Sequence, residues 1–507
     1  MRLERINRPL VLLSICVILF LSACARKNTR SQPASVEKVK IMVNWDRTLM
    51  VSKTTATLQN GAIWMLHRGS PLLDRVYQDL HELGCDYFRT GTWFCYPRRA
   101  VAELEPPKDG KTSWDFSLMD PPVEDTLKAV AGHSTIIDFS TIPQWMFKTE
   151  KPVPYPADPD EVDWKYEMGT ELRDPTFKEV ADYFARLAGW YTKGEFKDEF
   201  GKVHQGGHHY KFDYWEVLNE PDLEHNLTPE TYTGIYDAVV AGVRKVQPQM
   251  KFSAIALAYP SKQPRYFEYF LNPKNHKVGT PIDMVAYHFY ASPGADESPD
   301  VQQYTFFDQA EGFLNTVRYV ESIRQRLSPK TLTDLDELGC IPADDLKTPR
   351  APIPASYWNL CGAMYAYLYG ELAGLGIDVA GESQLYGFPS QFPGVSLMDW
   401  NTGQPNARYW VLKLLHDNLG AGDKLVDTDS PIPYIYAQGF VTREGKRKLL
   451  LVNKRDRNFN LWIPGGDGAE VSYVDQTTGF QPPVTARLNN NQITLRGLAV
   501  AIVSPPQ

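Results

Sequence analysis

The sequence predicts a (β/α)8 barrel, or TIM barrel, followed by a smaller β-sandwich. Between residues 37 and 418, short β-rich segments alternate with amphipathic helical stretches, and this alternation is typical of βαβ units that build a parallel sheet. Eight such units over roughly 350 residues favour a closed barrel with enlarged loops. From residue 419 to 507 short strands are separated by Gly, Pro, Asn and Asp without helical periodicity, which is typical of a sandwich.

The predicted strands are apolar, β-branched and aromatic runs bounded by turn residues. The eight barrel strands are predicted at residues 62–65, 86–90, 134–139, 213–218, 252–257, 284–288, 331–335 and 377–381. The sandwich strands are predicted at residues 448–453, 460–463, 470–474 and 499–503. Residues 39–43, which precede the barrel, are a candidate for one further strand of the sandwich.

The N-terminus has the pattern of an export signal. Three arginines within the first eight residues precede an apolar run at residues 10–21, which is too short for a comfortable membrane span. The run ends in Leu21-Ser22-Ala23-Cys24 and resembles a bacterial lipobox. This resemblance implies a signal peptide over residues 1–23, a lipidated Cys24 and a polar tether over residues 24–36. An uncleaved signal anchor, or cleavage beside an unmodified cysteine, is the alternative.

The residues after the lipobox indicate in which membrane the protein is anchored. Ala25-Arg26 lacks the aspartate that holds the resembling lipoproteins in the inner membrane. A lipid anchor in the bacterial cell envelope, at the outer membrane or cell surface, is therefore favoured, with no other contact to the membrane expected.

Charge and composition narrow the classes of partner. Lysine and arginine number 53 against 61 acidic residues, which gives a net charge of −8. No long basic run is present, so no nucleic-acid partner is expected. Aromatic residues make up 12% of the chain. Many of them belong in a core, and a surplus on loops suits carbohydrate, whose apolar ring faces stack on aromatic planes.

Four cysteines lie outside the signal and the anchor position, namely Cys85, Cys95, Cys340 and Cys361. Disulfides are permitted in an exported protein, but these residues stand in apolar stretches where buried free thiols are equally plausible. Their pairing is left open by the sequence.

The segment with the clearest chemistry reads Trp-Glu-Val-Leu-Asn-Glu-Pro-Asp, from Trp215 to Asp222. An apolar strand that leads into Asn-Glu-Pro places Asn219 and Glu220 at the carboxyl-terminal end of that strand, because Pro221 ends it. Active sites of such barrels are assembled at this end. An ordinary turn after a strand is the alternative interpretation.

A second glutamate stands at the end of a later predicted strand. Glu337 follows the segment 331–335 and lies 117 residues after Glu220, a separation that fits three βα units with their loops. The two glutamates are therefore predicted at the ends of strands four and seven, across the mouth of the barrel. Cleavage of a glycosidic bond needs such a pair, one carboxylic acid to protonate the leaving oxygen and one carboxylate to attack.

This pairing resembles the clan A glycoside hydrolases, which have their acid/base after strand four and their nucleophile after strand seven. The motif at residues 215–222 is most similar to family 39, the β-xylosidase and α-L-iduronidase family, whose members also have a C-terminal β-sandwich. The resemblance covers the chain from about residue 45 to the end. It implies a retaining glycoside hydrolase without cofactor that acts on β-linked oligo- or polysaccharides, with Glu220 as general acid/base and Glu337 as nucleophile.

The same resemblance implies roles for neighbouring residues. Asn219 is expected to bind the 2-hydroxyl of the sugar, and Arg89, at the end of strand two, is expected to pair with the nucleophile and keep it ionised. His288 and Tyr290, after strand six, are expected to line the site. A surface position for Arg89 and a satisfied core position for His288 are the alternatives.

The chain departs from the family directly before the nucleophile. Most relatives have threonine or another small residue there, whereas this chain has Asp336, with Asp334 two residues earlier. Because side chains alternate along a strand, Asp336 and Glu337 are not both expected to face the sugar, and Glu337 is preferred. The three acids do not predict a cation site, since no other oxygen ligands are in view, and no metal is expected.

Two kinds of further candidate remain. Trp145, after strand three, and Trp400 are candidate stacking platforms for sugar, with core packing as the alternative. The tract His204-Gln-Gly-Gly-His208-His209 resembles a metal-binding sequence, but its Gly-rich, charged context favours a surface loop, with a sugar-contacting loop as the next alternative. The motifs of esterases, nucleotide-binding proteins and zinc proteases are absent.

Two other classes of protein compete with the enzyme. A surface glycan-binding lipoprotein on a decayed barrel is less favoured because both glutamates are intact. A solute-binding lipoprotein would need two similar α/β lobes. The sugar, its linkage, exo or endo action and the oligomeric state are not predicted, because a fold does not fix its substrate.

Overall fold

The computed structural model describes residues 38–506, except residues 60–65, 152, 165, 167–168, 346–351 and 388–391. The signal peptide, Cys24, the tether and the strand predicted at residues 62–65 therefore lie outside the described residues. Among the residues that are described, no helix is long and apolar enough to cross a membrane.

The strands of the described residues are short and belong to a barrel, to two sandwich sheets or to one hairpin. In chain order they are β1 (Val39–Lys40), β2 (Met42–Val51), β3 (Thr55–Gln59), β4 (Phe88–Gly91), β5 (Thr135–Asp138), β6 (Glu195–Lys197), β7 (Val203–Gln205), β8 (Tyr214–Val217), β9 (Lys251–Leu257), β10 (Met284–Ala291), β11 (Leu332–Cys340), β12 (Val379–Ser383), β13 (Lys424–Asp429), β14 (Ile435–Val441), β15 (Arg447–Asn453), β16 (Phe459–Trp462), β17 (Glu470–Val474), β18 (Val484–Arg487), β19 (Gln492–Leu495) and β20 (Val500–Ser504).

The α-helices of the described residues lie mainly between the barrel strands. In chain order they are α1 (Leu73–Leu83), α2 (Pro97–Ala100), α3 (Asp120–Ala129), α4 (Lys178–Lys193), α5 (Pro229–Val246), α6 (Pro264–Phe270), α7 (Pro299–Leu327), α8 (Ala355–Leu375) and α9 (Ala407–Asn418).

Eight parallel strands close the barrel. Around it they follow the order β3, β4, β5, β8, β9, β10, β11 and β12, and β12 pairs with β3 to complete the circle. The predicted (β/α)8 barrel with an appended sandwich is confirmed. β8 and β11, which precede Glu220 and contain Glu337, are the fourth and seventh strands of this circle.

The first barrel strand is β3, which lies upstream of the predicted residues 62–65. Its sequence Thr-Ala-Thr-Leu-Gln has no apolar run, yet its side chains are almost wholly buried. Thr57 donates to the carbonyl of Asp86, and Gln59 donates to Asp334 at 3.0 Å inside the barrel. The lumen is polar at this point, so a search for apolar segments passes over the strand.

The sandwich lies beside the barrel and includes the beginning of the described chain. One sheet has the order β18-β17-β20-β15-β14-β13-β2, and the other has the order β1-β16-β19. β2 joins the sheet as the antiparallel neighbour of β13, and β1 pairs in parallel with β16. Ile41, between β1 and β2, is buried with Leu449 and Val503 in the core between the sheets.

Helix α8 connects the two domains physically. Apolar and small residues make up every face of this helix, and nearly all of them are buried. This composition is expected for a helix that other parts of the protein cover on all sides. Tyr367 on this helix packs edge-on against Tyr436 of β14, with ring centroids 5.1 Å apart. A Cβ atom at Gly370 would lie 2.4 Å from the Tyr436 hydroxyl, so only glycine permits this close approach.

Candidate active site

The ends of β8 and β9 have an unusual backbone. Leu218 and Glu220 have φ values of 64° and 39°, and Ile255 and Ala256 have values of 78° and 41°. Non-glycine residues in this left-handed region cost about 1–3 kcal/mol each and persist where surrounding structure holds them. The Glu220 amide donates to the Ala256 carbonyl at 3.1 Å, so the two strained strand ends are fastened to each other beside Glu220.

A β-bulge in β11 determines the position of Glu337. Ala286 of β10 pairs with Asp334 and His288 pairs with Glu337, so β11 has one residue more than its neighbour across this interval. As a result Asp334, Asp336 and Glu337 all point into the barrel: Asp336 lies 3.4 Å from Arg89 and 3.3 Å from His288. The bulge interrupts the alternation, so Asp336 and Glu337 both lie beside Arg89 and His288, although Asp336 is wholly buried. The expectation that the two acids do not both face the sugar stays a prediction.

The two predicted glutamates meet at one imidazole. Glu220 Oε1 lies 2.8 Å from His288 Nδ1, and Glu337 Oε2 lies 3.4 Å from the same nitrogen. One oxygen of each glutamate and this nitrogen all lie within 4.8 Å of one another. Carboxyl groups about 5–5.5 Å apart are typical of retaining glycosidases, whereas inverting enzymes have them about 6.5–9.5 Å apart to admit a water. The separation of the Glu220 and Glu337 oxygens is therefore shorter than the inverting range.

Arg89 is the buried cation of the site. It is 1% exposed, so its surface alternative is excluded. Its Nη1 donates to Glu337 Oε1 at 2.7 Å, its Nε donates to Glu216 at 3.0 Å, and its Nη2 donates to Asn219 Oδ1 at 2.6 Å. Asp138 lies 3.3 Å away on the same guanidinium. Only a planar five-donor group can serve so many acceptors at once.

Tyr290 and Asn219 complete the surroundings of the glutamates. The Tyr290 hydroxyl donates to Glu337 Oε2 at 2.7 Å and lies 2.7 Å from Ser383 Oγ. Asn219 donates from its amide to Glu224 at 2.7 Å while its oxygen accepts from Arg89. The second N–H of the amide has the capacity for one more acceptor, which is the position expected of a sugar hydroxyl.

The two glutamates differ in the charged and hydrogen-bonding groups around them. Burial raises the pKa of Glu220, and the hydrogen bond from His288 limits this rise. Burial alone would lower the pKa of His288, but the Glu337 and Asp336 carboxylates reverse the effect and raise it well above its usual value. Glu337, by contrast, accepts hydrogen bonds from both Arg89 and Tyr290.

Four polar residues of this cluster were not assigned a role by the sequence. Asp138 ends β5 and has a pKa raised by burial to about 6. Glu216 is wholly buried, and burial raises its pKa well above the usual range. Asp336 is held ionised, with a lowered pKa, by His288 and Arg89 against the effect of burial. Ser383 contacts Tyr290. Strand-end position was the signal available for Asp138 and Ser383.

The two predicted tryptophan platforms are half-buried and have structural contacts. Trp145 donates its indole N–H to the Glu103 carbonyl at 2.9 Å, and the guanidinium of Arg173 lies 4.5 Å from the centre of its ring. The carbonyl of Trp400 accepts from the hydroxyl of Tyr386. Stacking of sugar on either ring stays a prediction.

The histidine tract begins in β7 and ends in the segment that leads into β8. His204 lies 3.0 Å from Asp198, and His208 lies 3.1 Å from Asp120. These two imidazoles therefore each have their own carboxylate. Among the described residues, the three side chains close enough to share a metal ion are Glu220, His288 and Glu337, and their mutual hydrogen bonds and ion pairs account for these atoms.

The cysteines divide into one pair and two single thiols. Cys340, three residues after Glu337, forms a disulfide with Cys361 of α8. Cys85 and Cys95 are buried free thiols. The disulfide fastens the end of the strand that presents Glu337 to the helix behind it.

Comparison with known proteins bears on this arrangement. No protein-family model matches the chain, and no curated protein matches it. Several solved structures do match the chain. A family 51 arabinofuranosidase from Xanthomonas axonopodis pv. citri aligns with a TM-score of 0.63 at 11% identity, covering 92% of this chain and all of the other. A family 39 β-xylosidase from Caulobacter crescentus gives 0.59 at 14%, with the same two coverages. A family 30 endoxylanase from Clostridium papyrosolvens C71 gives 0.55 at 14%, covering 93% and 100%.

The fold is that of the clan A glycoside hydrolases. The predicted resemblance to this clan, with family 39 among its similar members, is confirmed at the level of the fold. The neighbours have the same combination of barrel and C-terminal β-domain over nearly the whole chain.

Proposed function

We propose that the protein is a retaining glycoside hydrolase that cleaves β-linked oligo- or polysaccharides by double displacement. The observation that supports this most is the approach of Glu220 and Glu337, with oxygens within 4.8 Å, from the ends of the fourth and seventh barrel strands. The alternative, a glycan-binding protein on a decayed barrel, would not need the ion pair of Arg89 with Glu337 or the buried imidazole beside Glu220.

The two steps follow from the environment of each glutamate. Glu337, which accepts hydrogen bonds from Arg89 and Tyr290, attacks the anomeric carbon as the bond to the leaving oxygen breaks. Glu220, whose pKa is raised by burial, is the protonated group and gives its proton to that oxygen. In the second step Glu220 takes a proton from water, the water oxygen attacks the anomeric carbon, and the ester to Glu337 breaks with retention of configuration.

The test separates the two glutamates by role. With a dinitrophenyl glycoside, whose leaving group needs no proton, Glu220→Ala is expected to form the covalent intermediate and accumulate it. Azide fits the space of the missing carboxylate and needs no general base, so it is expected to restore turnover and give a β-glycosyl azide from a β-linked substrate. Glu337→Ala is expected to form no covalent intermediate and to lose several orders of magnitude in rate with every leaving group.

Product analysis by NMR and intact-protein mass spectrometry read out both variants. An Asp336→Ala variant is the matched comparison, because Asp336 adjoins Glu337 and contacts the same Arg89 and His288. If Asp336→Ala loses the covalent adduct while Glu337→Ala keeps it, the assignment of the nucleophile is wrong. The glycosides to screen are β-xylosides, β-glucosides and α-L-arabinofuranosides, since β-xylosidase, glucosidase and arabinofuranosidase occur among the similar structures.

The proposal includes a lipid anchor at Cys24, supported by the sequence Leu21-Ser22-Ala23-Cys24 behind a short apolar run. Cys24→Ala is expected to release the protein from the membrane fraction or to leave it unprocessed, because the thiol is the site of lipidation. Fractionation of cells with immunoblotting measures this. A variant that stays in the membranes at the mature size contradicts the anchor.

A further inference from the structure

Two apolar side chains project into solvent from the loops that follow β8 and β9. Leu223 is 50% exposed and Tyr259 is 46% exposed. Asp222 lies between them: its Oδ1 accepts from the amide of Ala258 at 3.0 Å, and its Oδ2 accepts from the amide of Tyr259 at 3.1 Å. One carboxylate thus holds the second loop against the first.

These two side chains lie on the side of Glu220. The Leu223 amide donates to the Glu220 carbonyl at 2.9 Å, and the Glu220 amide is bonded to Ala256, three residues before Tyr259. Burial raises the pKa of Tyr259, and the charges of Glu220 and Asp222 raise it further, so the phenol lies within electrostatic reach of the acid/base carboxylate.

The loop that presents Tyr259 is fixed from behind as well. The hydroxyl of Tyr319, on α7, donates to the Pro260 carbonyl directly after Tyr259. The Lys262 ammonium lies 4.9 Å from the centre of the Tyr259 ring. The ring is therefore held in place while almost half of the residue is in contact with water.

Single exposed apolar residues are normal on protein surfaces and need no function. Leu223 and Tyr259 differ because Asp222, the residue before Leu223, joins their two loops, and because the backbone beside them is strained at four non-glycine positions. A sugar ring is the ligand that fits an apolar surface at the rim of such a site, because the C–H faces of a pyranose or furanose ring pack against aromatic planes.

We propose that Tyr259, with Leu223 beside it, forms a binding platform for a sugar ring in the leaving group of the substrate. The proposal rests on the proposed function and extends it to the substrate class. Glu220 protonates the leaving oxygen, so the group attached to that oxygen lies on the Glu220 side of the scissile bond, where Tyr259 and Leu223 are. Because the Lys262 ammonium lies over one face of the Tyr259 ring, the sugar packs on the other face. The natural substrate is therefore an oligo- or polysaccharide with sugar on both sides of the bond.

The experiment compares substrates with and without a ring in the leaving group. Tyr259→Ala is measured on xylobiose, cellobiose and the matching β-xylosyl and β-glucosyl fluorides. The specificity constant kcat/KM for the disaccharide is expected to fall by roughly tenfold, the upper end of what one aromatic contact contributes. The value for the fluoride, which has no ring to stack, is expected to change less than about twofold. Tyr259→Phe keeps the ring and is expected to behave as the wild type on both substrates.

Phe200→Ala is the matched control. Phe200 is 51% exposed, but it lies in the hairpin between β6 and β7, which leads into β8 at the opposite end of the barrel. It is expected to leave both substrates unaffected.

Each remaining outcome is decisive. Equal loss on disaccharide and fluoride in Tyr259→Ala, or loss in Tyr259→Phe equal to that in Tyr259→Ala, overturns the stacking platform. Turnover of a fluoride by the wild type without turnover of any disaccharide also overturns it, while the proposed function stands. Absence of turnover on these substrates and on every glycoside of the screen described under the proposed function contradicts the proposed function itself.

Discussion

Replacing Arg89 with methionine is expected to destabilise the protein and to change the pH dependence of its activity. The guanidinium lies within 3.4 Å of four buried carboxylates, those of Glu216, Glu337, Asp138 and Asp336. Removal of one partner from a buried ion pair costs about 3–5 kcal/mol, because a charge is left in a low-dielectric interior. A whole protein is stable by only about 5–15 kcal/mol, so the loss is large.

The loss is expected to depend on pH. The four carboxylates that lose Arg89 become neutral when they bind protons in acid. The free energy of unfolding of Arg89→Met is therefore expected to approach that of the wild type in acid and to fall below it as the pH rises. The acidic limb of the kcat/KM profile is expected to move to higher pH, because Glu337 loses the cation that favours its ionised form. Urea unfolding and aryl glycoside hydrolysis across pH measure the two effects.

Arg408 provides a matched control within the same barrel. It is also wholly buried, and its Nε donates to Glu382 at 2.8 Å. Arg408→Met is expected to lose a comparable amount of stability while the acidic limb stays in place, because Glu382 and not the nucleophile is its partner. Arg89→Lys, which keeps the charge but not the five-donor fork, is a milder second variant. An equal movement of the limb in Arg408→Met, or wild-type stability of Arg89→Met at alkaline pH, would refute the reasoning.

Two further predictions concern stability. Glu103 is fully buried, and burial raises its pKa to about 8. Because this folded-state pKa lies above the unfolded value, the stability linked to the proton is present in acid and is lost as the pH rises towards 8. Glu103→Gln is expected to raise the free energy of unfolding by about 3 kcal/mol at pH 7 with little gain below pH ~4, and an equal gain at both pH values in urea titrations would contradict this. The disulfide of Cys340 and Cys361 closes a separation of 21 residues, so Cys361→Ala is expected to cost about 3 kcal/mol by the chain-entropy relation. Reduction of the wild type should lower its free energy of unfolding by the same amount, and an unchanged denaturation midpoint after complete reduction would show that the bond does not contribute.

The arrangement of the barrel could be predicted from sequence because each of its signals is local. A strand reveals itself by apolar and β-branched residues over a few positions, and a helix by its periodicity, so the alternation of the two is readable without knowledge of contacts. The strand end at Glu220 is equally local, since Pro221 follows it. The exception, Thr55–Gln59, faces a lumen that the side chains of other strands make polar, and the segment itself contains no sign of that environment.

The composition of the site depended on the tertiary structure. Asp138 and Glu216 become partners of Arg89 only when three strands close beside one another, and Asp336 joins them only because β11 bulges. The exposure of Tyr259 and its hydrogen bond to Asp222 likewise depend on how the loops after β8 and β9 meet.

The sequence by itself therefore determined the alternation of strands and helices over most of the barrel and the places of Glu220 and Glu337 at strands four and seven. Which oxygens approach each other, which acids share Arg89, and which ring faces the solvent were decided by the tertiary structure alone. The physical reason is that apolar periodicity records how one segment meets the core, whereas distances between side chains more than a hundred residues apart depend on strand register, on one inserted residue in a bulge and on closure of the barrel.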